Sequence, residues 1–185
     1  MAEPRLFQLD RATDEALAAW VSAQVMPLPS AADHAALSRV QQRLLSDLST
    51  ERRFRHFFAE LDRIFALGIE ALCKLLRSID NPSSYQAAPM QGVKFFHFAP
   101  GAPSGFAEAG IVRLARGVRF PRHRHLGDEI NYVLEGTLID GGMAYGPGCA
   151  VRNAAGSEHD YRAGEARDLV LAAGHNGITY LGDGT

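Results

Sequence analysis

The chain has no surplus of basic charge, no long apolar run and almost no cysteine. Nineteen Lys and Arg against 21 Asp and Glu leave a formal net charge of -2. The positive surface that a phosphate backbone requires is missing, and no nucleic-acid partner is expected. The longest apolar stretch, "IFALGIEALCKLL" at 64–76, is interrupted by Gly68, Glu70 and Lys74. It falls short of the roughly 20 residues that span a bilayer, so no membrane partner is expected. The N-terminal "MAEPRLFQLD" lacks a basic segment leading into an apolar one, and no secretory signal is read there. Cys73 and Cys149 are the two cysteines, in unrelated contexts. That argues against a disulfide framework and fits a reducing cytoplasm.

Glycine is scarce too, but in one half alone. Gly68 is the single glycine of residues 1–80, whereas residues 92–185 hold the other seventeen. In the glycine-poor part, apolar residues recur at helical spacing. One stripe is Leu17, Trp20, Val21 and Val25 after a start near Thr13, ended by "MPLPS" at 26–30. A second is Leu37, Val40, Leu44 and Leu48. A third follows "STER" and is unusually aromatic, with Phe54, Phe57, Phe58, Leu61, Ile64 and Phe65. The fourth is Ile69, Leu72, Cys73, Leu76 and Ile79. About four helices are therefore expected over 1–80, with the phenylalanines packing as core.

"NPSSYQAAPMQG" at 81–92 reads as a linker. From 93 onward the period becomes two. "VKFFHFAP", "GIVRLARG", "EINYVLEGTLID", "CAVRNA" and "ARDLVLAAG" are short strands separated by Gly, Pro, Asn and Asp. Strands this dense, with no long helix between them, indicate an antiparallel sandwich or barrel over 93–185. The expected fold is mainly β, preceded by a helical segment.

Within the β half, "FPRHRHLGDEINYVLEG" at 120–136 places two histidines one residue apart. On a strand His123 and His125 share a face. Glu129 reaches the same point if the chain turns at "LGD", a turn that Gly127 eases. Two imidazole nitrogens and a carboxylate oxygen begin a divalent metal site. His159, in "AAGSEHD" at 154–160, offers a fourth ligand from another strand. His97 and His175 fall on predicted strands; each could line the barrel, and an ordinary core or surface histidine is the favoured reading. Asn131 and Tyr132 alternate after Glu129, and either could face the interior.

The spacing Gly117, five residues, His123, one residue, His125, three residues, Glu129, six residues, Gly136 resembles the first cupin motif at every fixed position. The second motif follows in altered form. Gly148 is followed after five residues by Ala154, where the family has Pro, then by Gly156, His159 and Ala163, where it usually has Asn. The resemblance implies a cupin jelly roll over about residues 93–182, holding a metal through His123, His125, Glu129 and His159.

The phrase "FPRHRHLGDEINYVLEGTLID", continued by "YGPGCAVRNAAGSEHDYRAG", is similar to the C-terminal cupin domain of ChrR-type zinc-dependent anti-sigma factors. That likeness implies a regulatory or sensing module with one divalent metal per chain. Zinc is the expected ion, and Fe, Ni or Mn suit the same ligands. It implies a sigma factor as partner, and a homodimer formed by sheet packing. The family's helical half carries a zinc site built from a histidine and a closely spaced cysteine pair. This chain has Cys73 alone before residue 149, so no residue match carries that site over. The alternative expectation is a metal-dependent cupin enzyme of dioxygenase, lyase or hydrolase type, because three histidines and one glutamate leave positions open on an octahedral ion. No catalytic residue is assigned.

Overall fold

The computed structural model describes residues 31–181. The expected first helix, with Leu17, Trp20, Val21 and Val25, lies outside the described residues. The chain divides into two units, residues 1–43 and 44–185. The described part of the first is the opening of helix α1 (Ala31–Phe54), where Leu37 and Val40 are exposed.

In the second unit α1 continues through "STER", where the apolar pattern predicts a break. No glycine or proline occurs between Ala31 and Phe54, so nothing local stops the helix. Its last turns are tied down by charge. Thr50 Oγ1 and Arg53 Nη2 donate to the Asp80 carboxylate at 2.9 and 2.8 Å, and Arg77 Nε donates to Glu51 at 2.7 Å. A 3-10 turn (Arg55–Phe57), α2 (Phe58–Phe65) and α3 (Gly68–Ser78) complete the helical layer. Among the described residues, no helix is long and apolar enough to cross a membrane.

The strands are β1 (Gln86–Ala87), β2 (Val93–Phe98), β3 (Glu108–Leu114), β4 (Arg119–His125), β5 (Glu129–Glu135) and β6 (Leu138–Asp140). They continue with β7 (Met143–Tyr145), β8 (Ala150–Asn153), β9 (Glu158–Ala163), β10 (Leu169–His175) and β11 (Ile178–Tyr180). All pair antiparallel into a six-stranded sheet, β1-β2-β3-β10-β5-β8, and a five-stranded sheet, β11-β4-β9-β6-β7. The segment read as a linker takes part, since β1 pairs with β2 and the Tyr85 ring stands edge-on to Phe96 at 5.2 Å.

The six-stranded sheet is covered on both faces. Odd-numbered side chains such as Val133, Leu169 and Leu171 join Leu114 and Leu138 in the core between the sheets. Their even-numbered neighbours Ile130, Tyr132, Leu134, Val170 and Ala172 meet Phe57, Leu61, Phe65 and Leu76 of the helical layer. Phe57 stands edge-on to Tyr132 at 5.6 Å, and Phe65 to Phe98 at 5.3 Å. The aromatic stripe is therefore core, and β5 and β10 are buried along nearly their whole length. Phe57→Ala removes a buried ring from this contact and should cost about 3–5 kcal/mol. It should lower the urea midpoint with an unchanged m value. A midpoint equal to that of the parent protein would show that the helices do not unfold with the barrel.

Candidate metal centre

The pairing of β4 with β9 slips by one residue between Phe120 and His123. Phe120 faces Tyr161 and His123 faces His159, so Pro121 and Arg122 together oppose Asp160. Proline suits such a bulge because it has no N–H to offer the ladder. The slip reverses the alternation. Phe120, three residues before His123, points inward, and so do His123 and His125. His159 enters as the direct cross-strand partner of His123. Its strand is anchored by His125, whose N–H donates to Ser157 O at 3.0 Å and whose carbonyl accepts from Gly156 N at 2.8 Å.

Glu129 comes from the other sheet, at the start of β5, after the "LGD" turn. Gly127 in that turn does not adopt a left-handed φ. Its role is close approach, since a Cβ there would lie 2.5 Å from Asn176 Cβ. Gly136, which closes the first motif, does need glycine's freedom: its φ is 81°, and a Cβ would lie 2.3 Å from Asp168 O.

One donor atom from each of His123, His125, Glu129 and His159 lies within 4.8 Å of all the others. His123 Nδ1 donates to Pro121 O at 2.8 Å, and His159 Nδ1 donates to Asp140 Oδ2 at 2.8 Å. A carbonyl and a carboxylate can accept only, so both imidazoles hold their proton on Nδ1 and turn Nε2 inward. Those two Nε2 atoms stand 3.1 Å apart, near the roughly 3.0–3.4 Å expected of two nitrogens on a common ion at about 2.1 Å. Glu129 Oε2 lies 3.5 Å from His159 Nε2 and 3.7 Å from His125 Nε2. It accepts from Asn131 Nδ2 at 2.7 Å and Asn153 Nδ2 at 3.0 Å. His125, 1% exposed, has no hydrogen-bond partner on either ring nitrogen. An orphaned imidazole facing two inward Nε2 atoms and a carboxylate fits a divalent cation.

The electrostatics agree. Burial pushes His123 and His125 below the ordinary imidazole range and keeps them neutral, as ligands must be. Burial acts the same way on His159, but the Asp140 and Glu129 carboxylates outweigh it and push this imidazole up to about 9. Burial opposes ionisation of Glu129 as well, yet His159, His125 and Asn153 hold it below its usual range. Without a metal, one proton shared at His159 separates the converging lone pairs.

A cavity of about 240 Å³ adjoins the cluster, lined by residues that include Glu129, Asn131, Phe120, Tyr161, Ala173 and Tyr180. His97 and His175, read from sequence as ordinary core or surface histidines, also line it. Of the two alternating residues after Glu129, Asn131 faces inward and Tyr132 meets the helices. Sequence reasoning gave no role to Asp140 or Asn153, and left open whether Asn131 or Tyr132 faces the interior. Asn131 was within reach, being two residues from Glu129 on one strand. Asp140 and Asn153 meet the site through cross-strand contacts that have no local signature.

Residues 80–178 match the family model of the ChrR Cupin-like domain. No curated protein is a significant match to the chain. Among solved structures, that of Rhodobacter sphaeroides SigE in complex with the anti-sigma ChrR is 19% identical, covers 89% of this chain and 77% of that chain, and has a TM-score of 0.51. A protein of unknown function with a cupin-like fold from Ralstonia eutropha is 20% identical with a TM-score of 0.44. That match covers 51% of this chain and 62% of the other, less than two thirds of its length. An acetylacetone dioxygenase from Acinetobacter johnsonii is 13% identical, with coverage of 56% and 75% and a TM-score of 0.48. At these identities the likenesses show the fold.

In metal-free protein, NMR should find His159 protonated through neutral pH, titrating near 9. Because its folded pKa lies above the unfolded value, its contribution to stability is complete below about pH 6.5 and is lost as pH rises through about 9. Asp140→Asn should bring the His159 titration down. An imidazole that titrates near 6.5 in both proteins would contradict the role given to Asp140.

Proposed function

The chain belongs to the ChrR Cupin-like domain family, and from that premise we propose that it is a metal-binding regulatory module. His123, His125, Glu129 and His159 hold one divalent cation, zinc being the ion the family likeness favours; the same donors accept Fe, Ni or Mn. Bound there, the cation ties β4, β5 and β9 together and supplies Lewis acidity toward the adjoining cavity. A reducing cytoplasm is part of this reading and is consistent with both cysteines being free.

The observation that carries it is the two-sidedness of β5. Glu129 and Asn131 belong to the cluster and its cavity, while Ile130 and Tyr132 pack against the helical layer on the other face. A closely packed strand moves as a unit. A change in what Glu129 ligates therefore reaches Phe57 through Tyr132. The helical layer is the proposed contact for a regulatory partner. A sigma factor is the first candidate, because the likeness to the SigE–ChrR complex extends over 89% of this chain. A second reading, a metal-dependent enzyme, is favoured by the cavity beside Glu129.

Elemental analysis of untagged protein should find about one metal ion per chain, and His125→Ala and Glu129→Ala should each abolish it while the barrel still folds. Protein purified without metal, and unable to take it up, would end this reading. Stripping the metal should speed amide exchange in β5 and α2 together and change capture of a sigma factor from a lysate. Faster exchange confined to β4 and β9 would leave the enzyme reading in its place.

A further inference from the structure

Asn131 is 1% exposed and forms part of the cavity wall. Its amide nitrogen is committed to Glu129, a pure acceptor, which turns Oδ1 away from the carboxylate. That Oδ1 accepts from nothing in the protein. Its neighbours across the sheet, Ala173 on β10 and Val151 on β8, carry no donor. Beyond Ala173 the register continues to Gly110 and then to His97. Ala173, small and part of the cavity wall, leaves a gap beside Asn131 at this end of the barrel. A buried, unpaired acceptor is costly to maintain, and a built cavity beside it points to a donor that arrives with a ligand.

The rest of the wall narrows the class of that ligand. Phe95, Val112, Phe120 and Ile178 are apolar. No Lys or Arg is among the lining residues, and the carboxylates there are Glu108 and Glu129. In the metal-free protein an anionic ligand would meet two acids with no guanidinium or ammonium to answer it. About 240 Å³ is below the roughly 300–1,000 Å³ of drug-sized sites, so the occupant is no larger than about one ring with short substituents.

We propose that the cavity binds a compact, uncharged, largely apolar molecule whose hydroxyl or N–H group donates to Asn131 Oδ1. This names the ligand class for the site read above as regulatory, and rests on that reading for its consequence, though not for binding itself.

Phenol, toluene and benzoate serve as matched probes, titrated into full-length protein by NMR with the Asn131 side-chain amide as reporter. The series is run once on zinc-loaded and once on chelator-stripped protein. Phenol should bind about tenfold or more tightly than toluene, in which a methyl group of similar size replaces the hydroxyl. Benzoate should bind the stripped protein more weakly than phenol does. Ala173→Leu, which fills the gap without touching a metal-ligating residue, should remove phenol binding, and the smaller Ala173→Val should weaken it. Equal affinity for phenol and toluene, tighter binding of benzoate to the stripped protein, or undiminished phenol binding by Ala173→Leu would each overturn the inference. Phenol binding that survives removal of zinc supports it and separates it from the metal reading. No phenol binding in either form overturns it, while the metal content of the protein stands as an independent result.

Discussion

Between Phe120 and His123 the ladder of β4 against β9 loses step by one residue, and the site is built on that slip. Alternation along an unbroken strand would send Phe120 and His123 to opposite faces. With Pro121 and Arg122 opposing a single residue, both point inward and His123 stands across from His159. The same bulge supplies the Pro121 carbonyl that holds the His123 ring in the tautomer whose Nε2 is free. One local irregularity thus sets the direction, partner and protonation of His123.

The second constraint is that β5 has no free face. A strand solvated on one side can shift without disturbing anything beyond its own sheet. Here Glu129 faces the three clustered histidines, and Tyr132 meets the Phe57 ring. The Asp80 carboxylate ties α1 to the sheet by ion pairs from Arg53 and Arg113, and Arg53 reaches Glu135 at the end of β5. The helical layer and the barrel accordingly share a strand, which is the physical basis for reading the site as one whose state is felt outside the barrel.

The cluster itself is electrostatically divided. Two imidazoles are kept neutral by burial, while the third is held protonated by two carboxylates. A cation entering the site would take the place of that proton, which would link loading to proton release. The divided arrangement also explains how three histidines can be buried beside one another without mutual repulsion.

The chain's sequence, taken alone, determined the class of the fold and the four convergent side chains. Periodicity separates helix from strand because the two geometries bury different spacings, and the His-x-His and following Glu are local enough to be read along one strand and turn. The extent of α1 was misjudged at "STER" because apolar spacing marks which faces are buried and carries little information on where a helix stops. Tertiary structure alone decided that "NPSSYQAAPMQG" contributes a strand, that Asp140 and Asn153 hydrogen-bond His159 and Glu129, and that Leu37, Val40 and Leu44 are exposed despite their helical stripe. Each of these depends on strand register or on which neighbour covers a face, and both are settled by contacts between residues far apart in the chain.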